Sequence, residues 1–326
     1  MPRPRRHSTE PGWGTGPLSA QARARLARPA TPALRPPPID DRAAVAHWRS
    51  TVHQAWLDGD PAPEACGHRW GERAGVAVLA AGADVDDGSR PVVVYAHGGG
   101  FALGSAPVAV PITERLALGC EVVSVEYRLA PEHPFPAAVD DVAAVVEAVA
   151  TETRGRSLIL AGDSAGANLA LAVAQRRRAA PGPIALAGLV LLSPQLDLEP
   201  ETARPASERD DVDEVAGRWL RAAYCGGVEP DDPGPSPLRG PLDGLPPSLV
   251  QAGSEDSALP SAIRLARAAR LAGVAVELDL WSGLWHAWHY HRDLPEADRA
   301  LAHVVAFCRH LAAGGARLSP AGQGPG

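Results

Sequence analysis

Short apolar runs rich in β-branched residues recur along most of the chain: VAVLA (76–80), PVVVYA (91–96), CEVVSVE (120–126), SLILAG (157–162), LAGLVLLS (186–193), PSLVQAG (247–253) and VAVELDL (274–280). Runs of this length, apolar throughout rather than alternating, suit strands buried on both faces. The intervening Ala-rich segments, such as 135–150 and 261–271, have helical spacing and serve as crossovers between parallel strands. The pattern therefore predicts an α/β fold, a mostly parallel sheet with helices on both faces. A chain of 326 residues is long enough for such a domain to keep water out of a reaction site.

Composition removes several classes. Apolar residues make up 45% of the chain, but no uninterrupted apolar run approaches the ~20 residues that cross a bilayer. The opening MPRPRRHSTE is basic, yet PGWGTGPLSA follows it where a signal peptide has an apolar stretch, so export is not expected and a cytoplasmic location is. Basic residues number 31 against 38 acidic ones, and seven of the arginines fall in residues 1–35 beside a single acid, Glu10. The rest of the chain is strongly acidic, which argues against a nucleic-acid groove. Cys66, Cys120, Cys225 and Cys308 are scattered, with no C-x-x-C pair, and read as reduced thiols rather than metal ligands or disulfides.

Residues 1–38, rich in Pro, Arg and Gly and ending in Arg35-Pro36-Pro37-Pro38, are expected to form a disordered arm. A single domain is expected over 39–311, with a frayed tail at 312–326. Ile39, Val45, Trp48, Val52 and Trp56 predict an amphipathic helix that begins after Asp40 or Asp41 as cap. Residues 195–246 interrupt the strand-helix alternation with Pro-rich loops around a helix near 211–224, and read as an insertion at the catalytic edge of the sheet.

Two motifs carry chemistry. Gly162-Asp163-Ser164-Ala165-Gly166 follows the strand SLIL and precedes a helical pattern, the context in which G-x-S-x-G makes a nucleophile elbow. Such a turn sets the serine at a helix N-terminus, where unpaired N–H groups favour developing negative charge. His97-Gly98-Gly99-Gly100 ends the strand PVVVYA, and consecutive glycines there let backbone N–H groups point at an oxyanion. His97 precedes the glycines and is expected to position the loop, not to move protons.

In YAHGGGFALGS (95–105), SVEYRLAPEHPFPAAVDD (124–141), LAGDSAGANLA (160–170), SPQLDL (193–198), AGSEDSAL (252–259) and GLWHAW (283–288), the chain resembles the hormone-sensitive-lipase-like, or bacterial family IV, esterases. This is the α/β-hydrolase fold 3 family. The resemblance implies an α/β-hydrolase fold and a serine-dependent carboxylesterase acting on short- to medium-chain esters through an acyl-enzyme. It makes Ser164 the nucleophile, with Asp256 and His286 as its partners. Gly99, Gly100 and Ala165 would supply the oxyanion hole, with Gly98 adjoining, and a cap would come from about 39–60 and 195–235. The residues themselves agree on the last two: each follows a strand, and the order Ser, Asp, His is that of α/β-hydrolases. The chain departs from the family where Ser257-Ala258-Leu259-Pro260 follows the acid and where His286-Ala287-Trp288 replaces the usual His-Gly-Phe.

Phe101, Trp285 and Trp288 are candidate pocket walls. Tyr127, Arg128, Glu132 and Asp140 read as loop braces. His286, His289 and His291 could in principle gather round zinc, but no H-E-x-x-H spacing accompanies them, so neither metal nor cofactor is expected. The expected partner is a small-molecule ester, with a homodimer left open; neither nucleic acid nor a membrane span is expected. Two rival readings stand: a receptor without catalysis, like the plant gibberellin receptors that lack the histidine retained here, or another reaction at the same groups, namely dehydration, amide hydrolysis or acyl transfer.

Overall fold

The computed structural model describes residues 12–14, 17–27, 35–59, 67–82, 90–153, 155–179, 185–199 and 214–314. Its strands are β1 (Gly12–Gly14), β2 (Arg69–Arg73), β3 (Val76–Ala81), β4 (Val92–Ala96), β5 (Glu121–Val125), β6 (Leu158–Asp163), β7 (Gly188–Leu192), β8 (Ser248–Gly253) and β9 (Val276–Trp281). They form one sheet in the order β1-β9-β8-β7-β6-β4-β5-β3-β2. Pairing is parallel except that β3 runs antiparallel to both β2 and β5. Each run that the sequence marks as a strand is one, with ends shifted by a residue or two. β2 escapes such reading: RWGER is polar because an edge strand with both faces in solvent has no apolar pattern to keep.

The helices are α1 (Ala20–Leu26), α2 (Arg42–Gly59), α3 (Val110–Leu116), α4 (Ala137–Glu152), α5 (Ala165–Ala179), α6 (Glu214–Cys225), α7 (Leu259–Leu271) and α8 (Pro295–Ala312). Alternate side chains of β4 explain why its run is apolar throughout. Val92, Val94 and Ala96 pack with Val142 and Val146 of α4 and Leu169 of α5. Val93 and Tyr95 face Ile112 of α3 and Val304 of α8 on the other side. The sheet is thus buried on both faces, and its strand ends carry the loops that hold Ser164, Asp256 and His286.

Part of the 1–38 arm is ordered, contrary to expectation. β1 pairs parallel with β9, and α1 docks on the body. Its cap Ser19 accepts from the Ala22 N–H and donates from its hydroxyl to Glu296 Oε2 at 2.8 Å, while its N–H donates to Oε1 at 2.7 Å. Ala22 is buried in the cluster that holds Trp281, Trp288 and Ala297. The Pro and Arg content masked a capping serine and a small apolar contact. Residues 1–11, 15–16 and 28–34 of the arm, 200–213 of the insertion and 315–326 of the tail lie outside the described residues.

α2 begins where expected, with Asp41 Oδ1 accepting from the Ala44 N–H at 3.0 Å, and it buries Val45, Trp48 and Val52. Trp48 meets Trp219 of α6 edge-on, with centroids 5.2 Å apart. Arg49 donates to the carbonyls of Ala102 and Ala130 and makes a two-pronged ion pair with Glu132. α2 and α6 are thereby pinned together over the loop that follows β4.

Candidate active site

Ser164 sits between the last residue of β6 and the first of α5, in the left-handed region with φ 50°. A non-glycine residue there is strained, and the surroundings enforce it. The Ser164 N–H is held by the Leu192 carbonyl at 2.9 Å. A side chain on Gly162 would overlap the Gly166 backbone, and one on Gly166 would overlap that of Ala96. The two motif glycines therefore let strand, turn and helix close on one another, which lifts the Ser164 hydroxyl above the sheet.

Loops after β8 and β9 bring the other two side chains to it. His286 Nε2 lies 2.9 Å from Ser164 Oγ, and His286 Nδ1 lies 2.8 Å from Asp256 Oδ1. Asp256 is fully buried and also accepts from the Ala258 N–H at 2.8 Å. Burial by itself would raise its pKa; the adjacent His286 charge and the hydrogen bonds to the carboxylate outweigh burial and hold it below the usual carboxylate range. Glu255 points elsewhere: its Oε1 accepts from the Ser254 hydroxyl, whose oxygen in turn takes the Gly283 N–H. Ala287 stands in the left-handed region at φ 53°, and its N–H donates to Ser193 Oγ at 3.1 Å. A glycine would adopt that conformation without strain, which accounts for the His-Gly preference from which this chain departs.

The 97–100 loop divides its labour differently from the expected set. The Gly98 N–H donates to Asp163 Oδ1 at 2.9 Å, so it is committed and Gly98 is not an oxyanion donor. Gly99, at φ 119°, and Gly100 follow, and among the described residues their N–H groups and that of Ala165 make no hydrogen bond. Three N–H groups near a serine hydroxyl at a helix N-terminus can receive an oxyanion. His97 acts within the loop: its Nδ1–H donates to the Gly98 carbonyl at 2.8 Å, and its ring stacks on Tyr127, whose hydroxyl donates to the His97 carbonyl. Burial lowers its pKa to about 4, leaving a neutral ring.

The aromatic candidates are spent on packing. Phe101 stacks on Tyr224 of α6 at 3.6 Å and is 3% exposed, while Trp288 is fully buried against Trp281 and the His289 ring. Trp285 lies in the same cluster beside His291. All three are almost fully buried, and adjacency to His286 in the sequence does not show which way the backbone turns an indole. Leu220 of α6 reaches the glycine loop: its methyl groups fill the space that a Gly100 side chain would need. The three clustered histidines disperse, His286 to the site above, His289 to Gln251 Oε1 at 3.1 Å and His291 to Trp285.

The loop braces are ionic. Glu132 takes Arg49; Arg128 pairs with Asp141, not Asp140, which pairs with Arg176. Three further residues lie near the site, and the sequence assigns none of them a role: Asp163, Ser193 and Tyr290. Only Asp163 left a signal there, as the variable position inside G-x-S-x-G.

A family model described as alpha/beta hydrolase fold matches residues 93–290. An acetyl-hydrolase of Streptomyces hygroscopicus is 41% identical over 226 residues, 67% of this chain and 75% of that protein. An esterase of Acinetobacter venetianus is 36% identical over 228 residues, 68% of this chain and 75% of its own. The crystal structure of a hormone-sensitive lipase from a metagenome library superposes with a TM-score of 0.75 at 30% identity, covering 82% of this chain and 91% of that one.

Proposed function

Because the chain belongs to the α/β-hydrolase fold family and is similar to bacterial esterases of the hormone-sensitive-lipase type, we propose that it hydrolyses carboxylic esters of small molecules with Ser164 as nucleophile. The observation that carries the reading is the unbroken chain of hydrogen bonds from Ser164 Oγ through His286 to Asp256. In the reaction, His286 Nε2 takes the hydroxyl proton as Ser164 attacks the ester carbonyl. Asp256 holds the proton on Nδ1, so that Nε2 is the free base, and stabilises the imidazolium that forms. The N–H groups of Gly99, Gly100 and Ala165 receive the oxyanion, each donor being worth about 3–4 kcal/mol in the transition state. His286 then protonates the leaving alcohol, and a water activated by the same ring hydrolyses the acyl-enzyme.

Short acyl groups fit best, since the Leu220 methyl groups crowd Gly100 and a relative carries the name acetyl-hydrolase. No helix among the described residues is long and apolar enough to cross a membrane. The reading includes cytoplasmic residence, supported by three buried free cysteines. The deciding experiment compares p-nitrophenyl butyrate with its anilide analogue: rapid turnover of the ester with little or none of the anilide supports an esterase, and the reverse order favours amide hydrolysis.

A further inference from the structure

Asp163 is the last residue of β6 and the immediate neighbour of Ser164, and its side chain is fully buried. No cation pairs with it among the described residues, so its carboxylate is held by hydrogen bonds. Tyr95 of β4 donates its hydroxyl to Oδ1 at 2.6 Å, and the Gly98 N–H donates to the same oxygen at 2.9 Å. Tyr290 donates between the two oxygens, at 3.1 Å from Oδ1 and 3.0 Å from Oδ2. These donors come from three places: the strand beside β6, the start of the oxyanion loop, and the 3-10 turn Trp288–Tyr290 that follows His286. A side chain on Gly98 would overlap Asp163 Oδ2, so only glycine lets the loop come this near.

Burying a carboxylate without a cation is costly, and a fold keeps one only where several donors converge. Burial pushes the Asp163 pKa up, and the bonds from Tyr95, Tyr290 and Gly98 and the charge on His286 oppose that. Its three donors are the ends of elements that must agree in position to within a fraction of an ångström for catalysis.

Resting on the function proposed above, we infer that Asp163 is a positioning residue: it clamps the oxyanion loop and the histidine loop to the nucleophile elbow. By taking up the Gly98 N–H it sets the orientation of the next two peptides, so that Gly99 and Gly100 present theirs to the oxyanion. Through Tyr290 it also fixes the far end of the turn that begins at His286. Its contribution falls on the transition state, because the donors it orients bond more strongly to the oxyanion than to the ester carbonyl.

The test uses Asp163→Ala and Asp163→Asn in the full chain, with circular dichroism to confirm folding. Each variant is assayed for kcat and KM on p-nitrophenyl butyrate. Affinity is measured for a short alkyl trifluoromethyl ketone, which adds reversibly to the serine as a tetrahedral oxyanion. Asp163→Ala should lower kcat by about 10²-fold, the scale of a lost oxyanion donor, with KM within about threefold, and should weaken the ketone by a similar factor. Asp163→Asn should recover at least about tenfold of that, since its Oδ1 can still accept from Gly98 and Tyr95 while its amide donates to Tyr290. If Asp163→Ala does not fold, Tyr290→Phe carries the test, with kcat and ketone affinity both falling about tenfold. The inference is overturned if the folded alanine variant keeps its kcat, if kcat falls while ketone affinity is unchanged, if asparagine rescues nothing, or if the tyrosine fallback has no effect. Wild-type protein treated with a phosphonate is the control. An adduct on Ser164 beside a fully active Asp163→Ala refutes the clamp alone, whereas no adduct refutes the nucleophile.

Discussion

Ser164 and His286 are 122 residues apart in the chain, yet Oγ of one and Nε2 of the other lie 2.9 Å apart. The contact joins the end of β6 to a loop after β9, two strands that are separated in the sheet by β7 and β8. Parallel strands make this meeting possible, because their C-terminal ends all fall on one edge.

The two adjacent acids after β8 should behave very differently. Asp256→Asn removes the carboxylate that holds the His286 tautomer and should cut kcat by up to ~10⁴. Glu255→Gln alters a side chain turned to Ser254, so kcat should stay within about threefold. Steady-state rates of both folded variants on one ester decide the matter; a crippled Glu255→Gln, or equal losses, contradicts the assignment.

The rate should rise with pH through the neutral region. Only the neutral imidazole can accept the Ser164 proton, whereas Asp256, held below the usual carboxylate range, stays ionised throughout and adds no second limb there. A profile of kcat/KM from about pH 5 to pH 9 should therefore ascend as one proton is lost. A maximum near pH 5 that declines on raising the pH runs against the mechanism.

Acyl-chain preference should depend on Leu220. Wild-type enzyme should favour chains of up to about eight carbons. Leu220→Ala, which empties the space over Gly100, should move the optimum toward longer chains, at a stability cost of about 2–3 kcal/mol. A p-nitrophenyl ester series on both proteins gives the comparison, and an identical profile for the two shows that Leu220 does not bound the acyl site.

His303 offers a test of the fold apart from catalysis. It lies between Asp279 at 2.9 Å and Glu277 at 3.0 Å, and these partners raise its pKa from 6.5 to about 10 despite burial. A raised value means that its stabilisation is complete below pH 6.5 and is lost as the pH climbs through about 10. The Tm deficit of His303→Gln should thus be largest near pH 6 and close by pH 10.5. A deficit that grows with pH would reverse the sign.

What could be read in advance follows from what each residue must do locally. Buried parallel strands need continuous apolar runs, and a sharp strand-turn-helix connection needs its two glycines, so β4 to β9 and the turn that carries Ser164 were legible. The edge strand β2 and the docked α1 lacked such patterns, because one is exposed and the other is held by Ser19 and Ala22. Trp288 was misjudged because adjacency to His286 says nothing of orientation, and the left-handed Ala287 turns the indole into the core. Asp163, Ser193 and Tyr290 act through contacts between segments distant in sequence, which no local spacing announces.

Labelling of the nucleophile tests the central claim most directly. Intact protein is incubated with a fluorophosphonate, digested and read by mass spectrometry, in parallel with kcat for Ser164→Ala on p-nitrophenyl butyrate. One adduct, on Ser164, together with a loss of at least ~10³ in kcat for the alanine variant, is the predicted result. An adduct on another serine, or an alanine variant with undiminished turnover, contradicts it.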